Sequence, residues 1–434
     1  MVFKFKKMKI VHFSTFDIQG GAANAAYQLH QSFKLKGLNS IMLVSYKKSN
    51  DSSVFMIGNS ILKSKLIQNL KRNEMTYYIF NKVNKLTLKF GKNIFIKFNK
   101  DKTEPFHKIK KYLQLGDIVC LHWIDNFLSI ETIKQIQDFT KTPIVWILQD
   151  IEPLTGGCHY TDGCEKYKFS CGNCPQLKSD SENDLSHQIW EKKKKYLGQL
   201  NIIFITPTSW VQEKIRESSL FKNFPAEKIL LPLDDDIFNQ KDREKSRINL
   251  NIPENAKVIF FGAQSFNEKR KGMHLLKKSL DILYLKIKNN CPKNLDRLLL
   301  LSAGRDTIKI SQHFKQIQLG WINNQNDLAK AYKVADAFAC PSIEDAGPIM
   351  INQSIACGTP VVSFEMGVAK DLIINPDCGY ITENFNSEKF AENLYKALFE
   401  KDYKKNIPTY NSDKITEQYI ELFKKLSKND NKKK

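Results

Sequence analysis

The chain has 434 residues, 42% of them hydrophobic, and a formal net charge of +21 at pH 7. That length supports two or three domains with sizeable cores, and no apolar run approaches the roughly eighteen residues that a membrane-crossing helix needs. The basic opening MVFKFKKMKIVHFST leads into a strand without a small-residue cleavage site, so it does not read as a signal peptide and a cytoplasmic location is expected. Positive charge is densest at Lys4–Lys9, Lys192–Lys195 and Lys432–Lys434. A Lys-rich solvated surface explains it plainly; the functional reading is attraction to an anionic membrane face or a polyprenyl-phosphate acceptor. No nucleic-acid motif accompanies the charge, so no nucleic-acid partner is expected.

In chain order, Lys9 to Ser14 reads as a first strand, followed by a loop ending in Gly20-Gly21. A helix then places Ala22, Ala26, Leu29 and Phe33 on one face, and Ile41 to Val44 forms a second strand. Strand, Gly-Gly loop, helix, strand opens a Rossmann-like domain in which Gly20 and Gly21 let a ligand approach the backbone. Residues 50 to 110 are basic with poor periodicity and read as helices and variable loops, an acceptor-side candidate. Order returns with a strand from Asp117 to Leu121, a helix from Ser129 to Phe139 and a strand from Pro143 to Leu148. His122 and Gln149-Asp150 follow these strands at their C-terminal ends, where open α/β sheets bind ligands. A packing or capping histidine is the competing reading for His122.

The stretch GGCHYTDGCEKYKFSCGNCPQL holds Cys158, Cys164, Cys171 and Cys174, four of the nine cysteines, with intervals of five, six and two residues. In a cytoplasmic chain such a cluster favours a metal over disulfides. Four thiolates suit a closed, structural zinc site; four free thiols in a turn-rich loop is the alternative, and His159 could replace one ligand. A strand from Ile202 to Ile205 and a helix to Arg216 complete this sheet. Leu231 to Asp236 reads as a domain junction, and the polar run from Asp242 to Asn255 as a linker.

A second Rossmann-like unit begins at Lys257, with a strand from Val258 to Phe261. Arg270 and Lys271 then precede Gly272 and a helix, where two cations can meet a diphosphate. A strand from Leu298 to Ser302 ends at Gly304-Arg305, and a helix around Leu328, Ala331 and Tyr332 leads into DAFACPSIEDAGPIMINQSIACGTPVVSFEMG, residues 336–367. This is one βαβ unit: a buried strand, an acidic loop with Glu344 and Asp345, a helix opening at Gly347-Pro348, and a second buried strand. Its free helical N–H groups favour phosphate, and Asp345 and Gln353 can share a ligand crevice. Ile415, Tyr419, Leu422 and Leu426 form one apolar face of a final helix.

Ala356-Cys357-Gly358-Thr359-Pro360-Val361-Val362 resembles the A-x-G-x-P-V-V run of the retaining family 4 glycosyltransferases, which follows a Glu, seven residues, Glu motif. Registering on it puts the first acidic position, a donor-sugar contact in that family, at Asp345. The second, which contacts the ribose, falls on Gln353, an uncharged acceptor. Lys271 fills the family's phosphate-binding lysine, Ala263 stands where an arginine is usual, and Gln149 stands where many relatives have a histidine beside the donor sugar. The Thr-Gly-Gly-Cys-His-Tyr stretch resembles an insertion in a colanic-acid and capsule subgroup.

The resemblance implies an α/β fold of two Rossmann-like domains facing across a cleft (GT-B): residues 1–235 with the Cys-rich insertion at 156–175, residues 256–405, and a C-terminal helix and tail, 406–434, crossing back to the first domain. It implies retaining transfer from a nucleotide-sugar to a carbohydrate or lipid-linked glycan in surface polysaccharide synthesis, with no catalytic metal. Asp345, Glu344, His122 and Asp150 are the catalytic candidates; Gly20, Gly21, Arg270, Lys271, Gly347 and Gln353 are the donor-binding ones. A non-catalytic nucleotide or glycan binder is the alternative, favoured by the departures at Gln149, Ala263 and Gln353.

Overall fold

In this computed structural model the described residues are 9–57, 103–400 and 407–429. The Lys4–Lys9 patch (Lys9 apart), most of the 50–110 segment, residues 401–406 and the Lys432–Lys434 tail lie outside them. The chain divides into two units, one of residues 1–207, 211–230 and 416–434, the other of residues 208–210 and 231–415. The sequence places the junction at Leu231 to Asp236; the units part at its first residue.

In the first unit the strands are β1 (Lys9–Phe16), β2 (Asn39–Tyr46), β3 (Val54–Met56), β4 (Ile118–Leu121), β5 (Ile144–Ile147), β6 (Ile202–Thr206) and β7 (Ala226–Lys228). They form one sheet in the order β3-β2-β1-β4-β5-β6-β7, and every pairing is parallel. Strands β4, β5 and β6 are buried throughout and apolar except for Thr206 at the end of β6, as strands covered by helices on both faces are. β1 runs two residues further than its sequence suggests, through Thr15 and Phe16, because Thr15 N–H bonds Trp123 O at 2.8 Å. The helix Gly21–Leu35 buries Ala26, Leu29 and Phe33 as expected, whereas Ala22, at its start, is half-buried.

The second unit contains β8 (Lys257–Gly262), β9 (Leu298–Ala303), β10 (Lys315–Gln318), β11 (Ala337–Cys340), β12 (Val361–Phe364) and β13 (Gly379–Thr382). Their order is β10-β9-β8-β11-β12-β13, again all parallel. Each sheet therefore winds outward in both directions from one pair, β1/β4 or β8/β11. At such a switch point the connections depart to opposite faces and leave a crevice beyond the strand C-termini.

The 242–255 run is not a linker. Its helix Arg243–Asn249 docks on the end of the helix Gln325–Val334: Arg243 Nη1 donates to Lys333 O at 2.5 Å and Ala335 O at 2.6 Å. Arg247 Nη1 donates to Val334 O at 3.0 Å. Cations satisfying the last carbonyls of a helix give a buried contact a polar composition. The final helix, Ser412–Asn429, returns to the first unit, where Phe33 meets Tyr419 and Phe423 at centroid distances of 6.2 and 5.5 Å. No helix among the described residues is long and apolar enough to cross a membrane.

Candidate functional site

Chemistry-bearing side chains collect at both switch points. In the second unit, the turn Lys269–Lys271 follows β8 and the acidic loop follows β11, tied by Ile343 N–H to Arg270 O at 2.8 Å. Lys271 Nζ donates to Asp345 Oδ2 at 2.5 Å, and Arg270 Nη1 reaches the same oxygen at 3.2 Å. Gly347 N–H donates to Asp345 Oδ1 at 3.3 Å. Burial opposes ionisation of Asp345, but Lys271 and then Arg270 outweigh it and hold the carboxyl below its ordinary range. Gly272 opens the helix Met273–Asn290 at φ 68°, and a Cβ there would collide with Pro341 O. Glycine thus lets a helix N-terminus and two cations sit directly beneath the acidic loop.

Glu344 is half-buried at the same loop, its carbonyl 3.4 Å from Arg270 Nη1. Gln353 lies apart from this cluster. It is 4% exposed, and its Oε1 accepts from the Tyr332 hydroxyl at 3.1 Å. The structure therefore brings Asp345, Glu344, Arg270, Lys271 and Gly347 together and turns Gln353 to the core.

In the first unit, Thr15 N–H and Oγ1–H bond the carbonyls of Trp123 and Asp125, closing the β1/β4 switch point. Gly20 adopts φ 94° with open space around its missing Cβ, and Gly21 beside it is exposed. Asp17 fixes this loop by accepting from the N–H groups of Ile18, Lys48 and Ser49.

His122 does not face the crevice. It stacks on His12, with His12 Nδ1 to His122 Nε2 at 2.9 Å, and burial lowers its pKa to about 3. Its neutral ring packs in the interior because side chains alternate along β4, so its neighbour Trp123 points the other way. Trp123 Nε1 donates to Asp150 Oδ2 at 2.9 Å, and Asp150 Oδ1 accepts from Glu152 N–H at 3.1 Å.

His159, from the Cys-rich stretch, completes this cluster. Its Nδ1 lies 2.5 Å from Asp150 Oδ2, and its Nε2 is 3.9 Å from Asp125 Oδ2 and without a hydrogen-bond partner. Burial works against the charged ring, yet Asp150, Glu152 and Asp125 lift its pKa to about 9. Burial raises Asp125 to about 6. Both amide atoms of neighbouring Gln149 are buried and unpartnered. A buried amide and imidazole with unused hydrogen-bonding capacity are what a hydroxyl-rich ligand would satisfy. Lys193, assigned with its neighbours to a basic surface patch, is 1% exposed. It donates to Glu152 Oε1 at 2.5 Å and to the carbonyls of Glu152 and Thr155.

The four cysteines line one pocket and are unpaired. Among the described residues, no three His, Cys, Asp or Glu side chains already converge at metal-binding distance.

Two parallel, doubly wound sheets, with paired cations beside an acidic loop in one unit and a buried cluster with unused hydrogen-bonding capacity in the other, make up the fold of the GT-B glycosyltransferases. Residues 242–414 match the family described as Glycosyl transferases group 1. Over 96% of this chain and the whole of the relative, the sequence is 21% identical to the putative colanic acid biosynthesis glycosyl transferase WcaC of Escherichia coli (strain K12). Among solved structures, sucrose-phosphate synthase from Thermosynechococcus elongatus is similar at TM-score 0.61 and 13% identity, covering 96% of this chain and 99% of that one. Anabaena Alr3699/HepE in complex with UDP-glucose is similar at TM-score 0.58 and 14% identity, covering 97% and 99%.

Proposed function

We propose that the chain transfers a sugar, with retention, from a nucleotide-sugar to a carbohydrate or lipid-linked glycan acceptor in surface polysaccharide synthesis. One observation carries this reading: Lys271, Arg270 and the N-terminus of the helix Met273–Asn290 gather around Asp345 at the β8/β11 switch point, inside the region that matches the glycosyltransferase family. As the glycosidic bond breaks, charge develops on the leaving diphosphate. Two fixed cations and free helical N–H groups stabilise that charge more than the ground state, and so speed the step. Asp345 and Glu344 would hold the donor sugar through its hydroxyls. Asp150, Gln149 and His159 would bind hydroxyls at the edge of the first unit. Likeness to a colanic-acid transferase supports the polysaccharide role, and likeness to a UDP-glucose complex supports a nucleotide-sugar donor.

The basic excess suits a peripheral approach to an anionic leaflet; sedimentation with vesicles containing phosphatidylglycerol, lost in high salt, would be its signature. The function itself is tested by a thermal-shift screen against UDP, GDP, ADP and their sugars. Ligand at about a hundred times its Kd stabilises by roughly 2.7 kcal/mol. A shift with one nucleotide class, abolished in Lys271→Ala, supports the assignment. No shift with any of them rejects it.

A further inference from the structure

The four cysteines of the Cys-rich segment in the first unit have no part in the sugar-transfer reading, although His159 of that segment does. The four sulfurs share a pocket with Lys166 and Tyr167. A backbone amide is aimed at sulfur: Gly156 N–H donates to Cys171 Sγ at 3.1 Å. Such a bond favours the anion over the thiol. The loop is glycine-dependent where it passes the sulfurs, because a Cβ on Gly156 would lie 2.8 Å from Cys171 Cβ and one on Gly172 would strike Glu182 O. Lys166 Nζ clamps the C-x-x-C turn, donating to Gly172 O at 3.0 Å and Asn173 O at 2.6 Å.

Burial pushes the Cys158 thiol up to about 12 and that of Cys171 up to about 11, so these two favour the neutral form. A soft divalent cation reverses that balance, because a coordinating thiol is deprotonated outright. The sulfurs must still draw inward, for no three of them converge as they stand.

The same loop carries His159, the residue after Cys158, to Asp150. Thr155 Oγ1 donates to Cys158 O at 2.8 Å and Ile151 N–H to His159 O at 3.3 Å. We propose that Cys158, Cys164, Cys171 and Cys174 bind one zinc ion, and that this ion fixes the segment that holds His159 against Asp150. Four thiolates leave no open position, so the metal is structural. The metal site stands independently; its effect on turnover rests on the sugar-transfer reading.

The test starts with the intact chain. Elemental analysis is expected to give one zinc per chain, and exchange with cobalt to give intense thiolate-to-metal absorption. Stripping with a chelator should speed proteolysis within residues 156–175 and lower kcat. His159→Asn should keep its zinc and show a similar kcat loss, and stripping it should cost little more. Cys174→Ser should lose the metal; if it fails to fold, the wild-type cobalt spectrum decides. A chain that neither contains nor takes up zinc, or that pairs these cysteines as disulfides, overturns the site. Zinc whose removal leaves proteolysis unchanged, or whose cost adds in full to that of His159→Asn, overturns the link. If no nucleotide-sugar supports turnover, the function fails while proteolysis still judges the link.

Discussion

Two buried carboxylates, one in each unit, show how context sets charge. Asp345 has two cations on one oxygen and is held below the ordinary range. Asp125, with the carboxylates of Asp150 and Glu152 nearby and His159 3.9 Å away, is pushed up to about 6, mainly by burial. In the second unit the carboxylate is thus held ionised between two cations. The first unit presents acceptors and unpartnered amide groups suited to hydroxyls. The same winding supports both, because chemistry resides in the loops beyond the strand ends and not in the sheet.

The harshest way to break the contrast is to unbalance the acidic cluster. Lys193→Met strands Glu152 without its cation, and losing one partner of a buried pair costs about 3–5 kcal/mol. Denaturant unfolding should show that loss, and adding Glu152→Gln should recover part of it. On the other side, Lys271→Ala should lower kcat/KM by about 10²- to 10³-fold, as removal of one oxyanion-stabilising group does. A loss in KM alone would mean the lysine binds ground state and transition state equally.

Gly272→Ala tests whether the cradle's backbone is obligatory. With φ at 68° and Pro341 O in the way, it should destabilise by more than about 1 kcal/mol and weaken nucleotide binding. The smallest effect is in pH. A carboxyl whose folded pKa is raised favours the native state when protonated, so Asp125's contribution is lost as pH rises from about 4 to about 6. Asp125→Asn should therefore be more stable than wild type at pH 7, with the difference shrinking towards pH 4.

The strands and the basic and acidic loops were legible because apolar runs bounded by Gly and Pro fix parallel strands, and function sits at their ends. Side-chain facing was less so. His122 and Trp123 are adjacent, and one residue decides which enters the interior. Gln353 has a favourable place in sequence, yet Tyr332 takes its carbonyl into the core. Lys193 sits in a run of four lysines, and the distant Glu152 and Thr155 explain its burial. Contacts of that span leave no local pattern. Sequence offers His159 only as a spare metal ligand; its pairing with Asp150 depends on how the Cys-rich loop folds back beyond β5.

Trp123 has a further consequence. Its ring centroid is 5.7 Å from that of His159, which is protonated at neutral pH, and an imidazolium that close quenches indole emission. Subtracting the spectrum of a Trp123→Phe variant isolates this residue from the other four tryptophans. A sugar that engages His159 would change its brightness, so the protein carries its own optical gauge of occupancy beside Asp150.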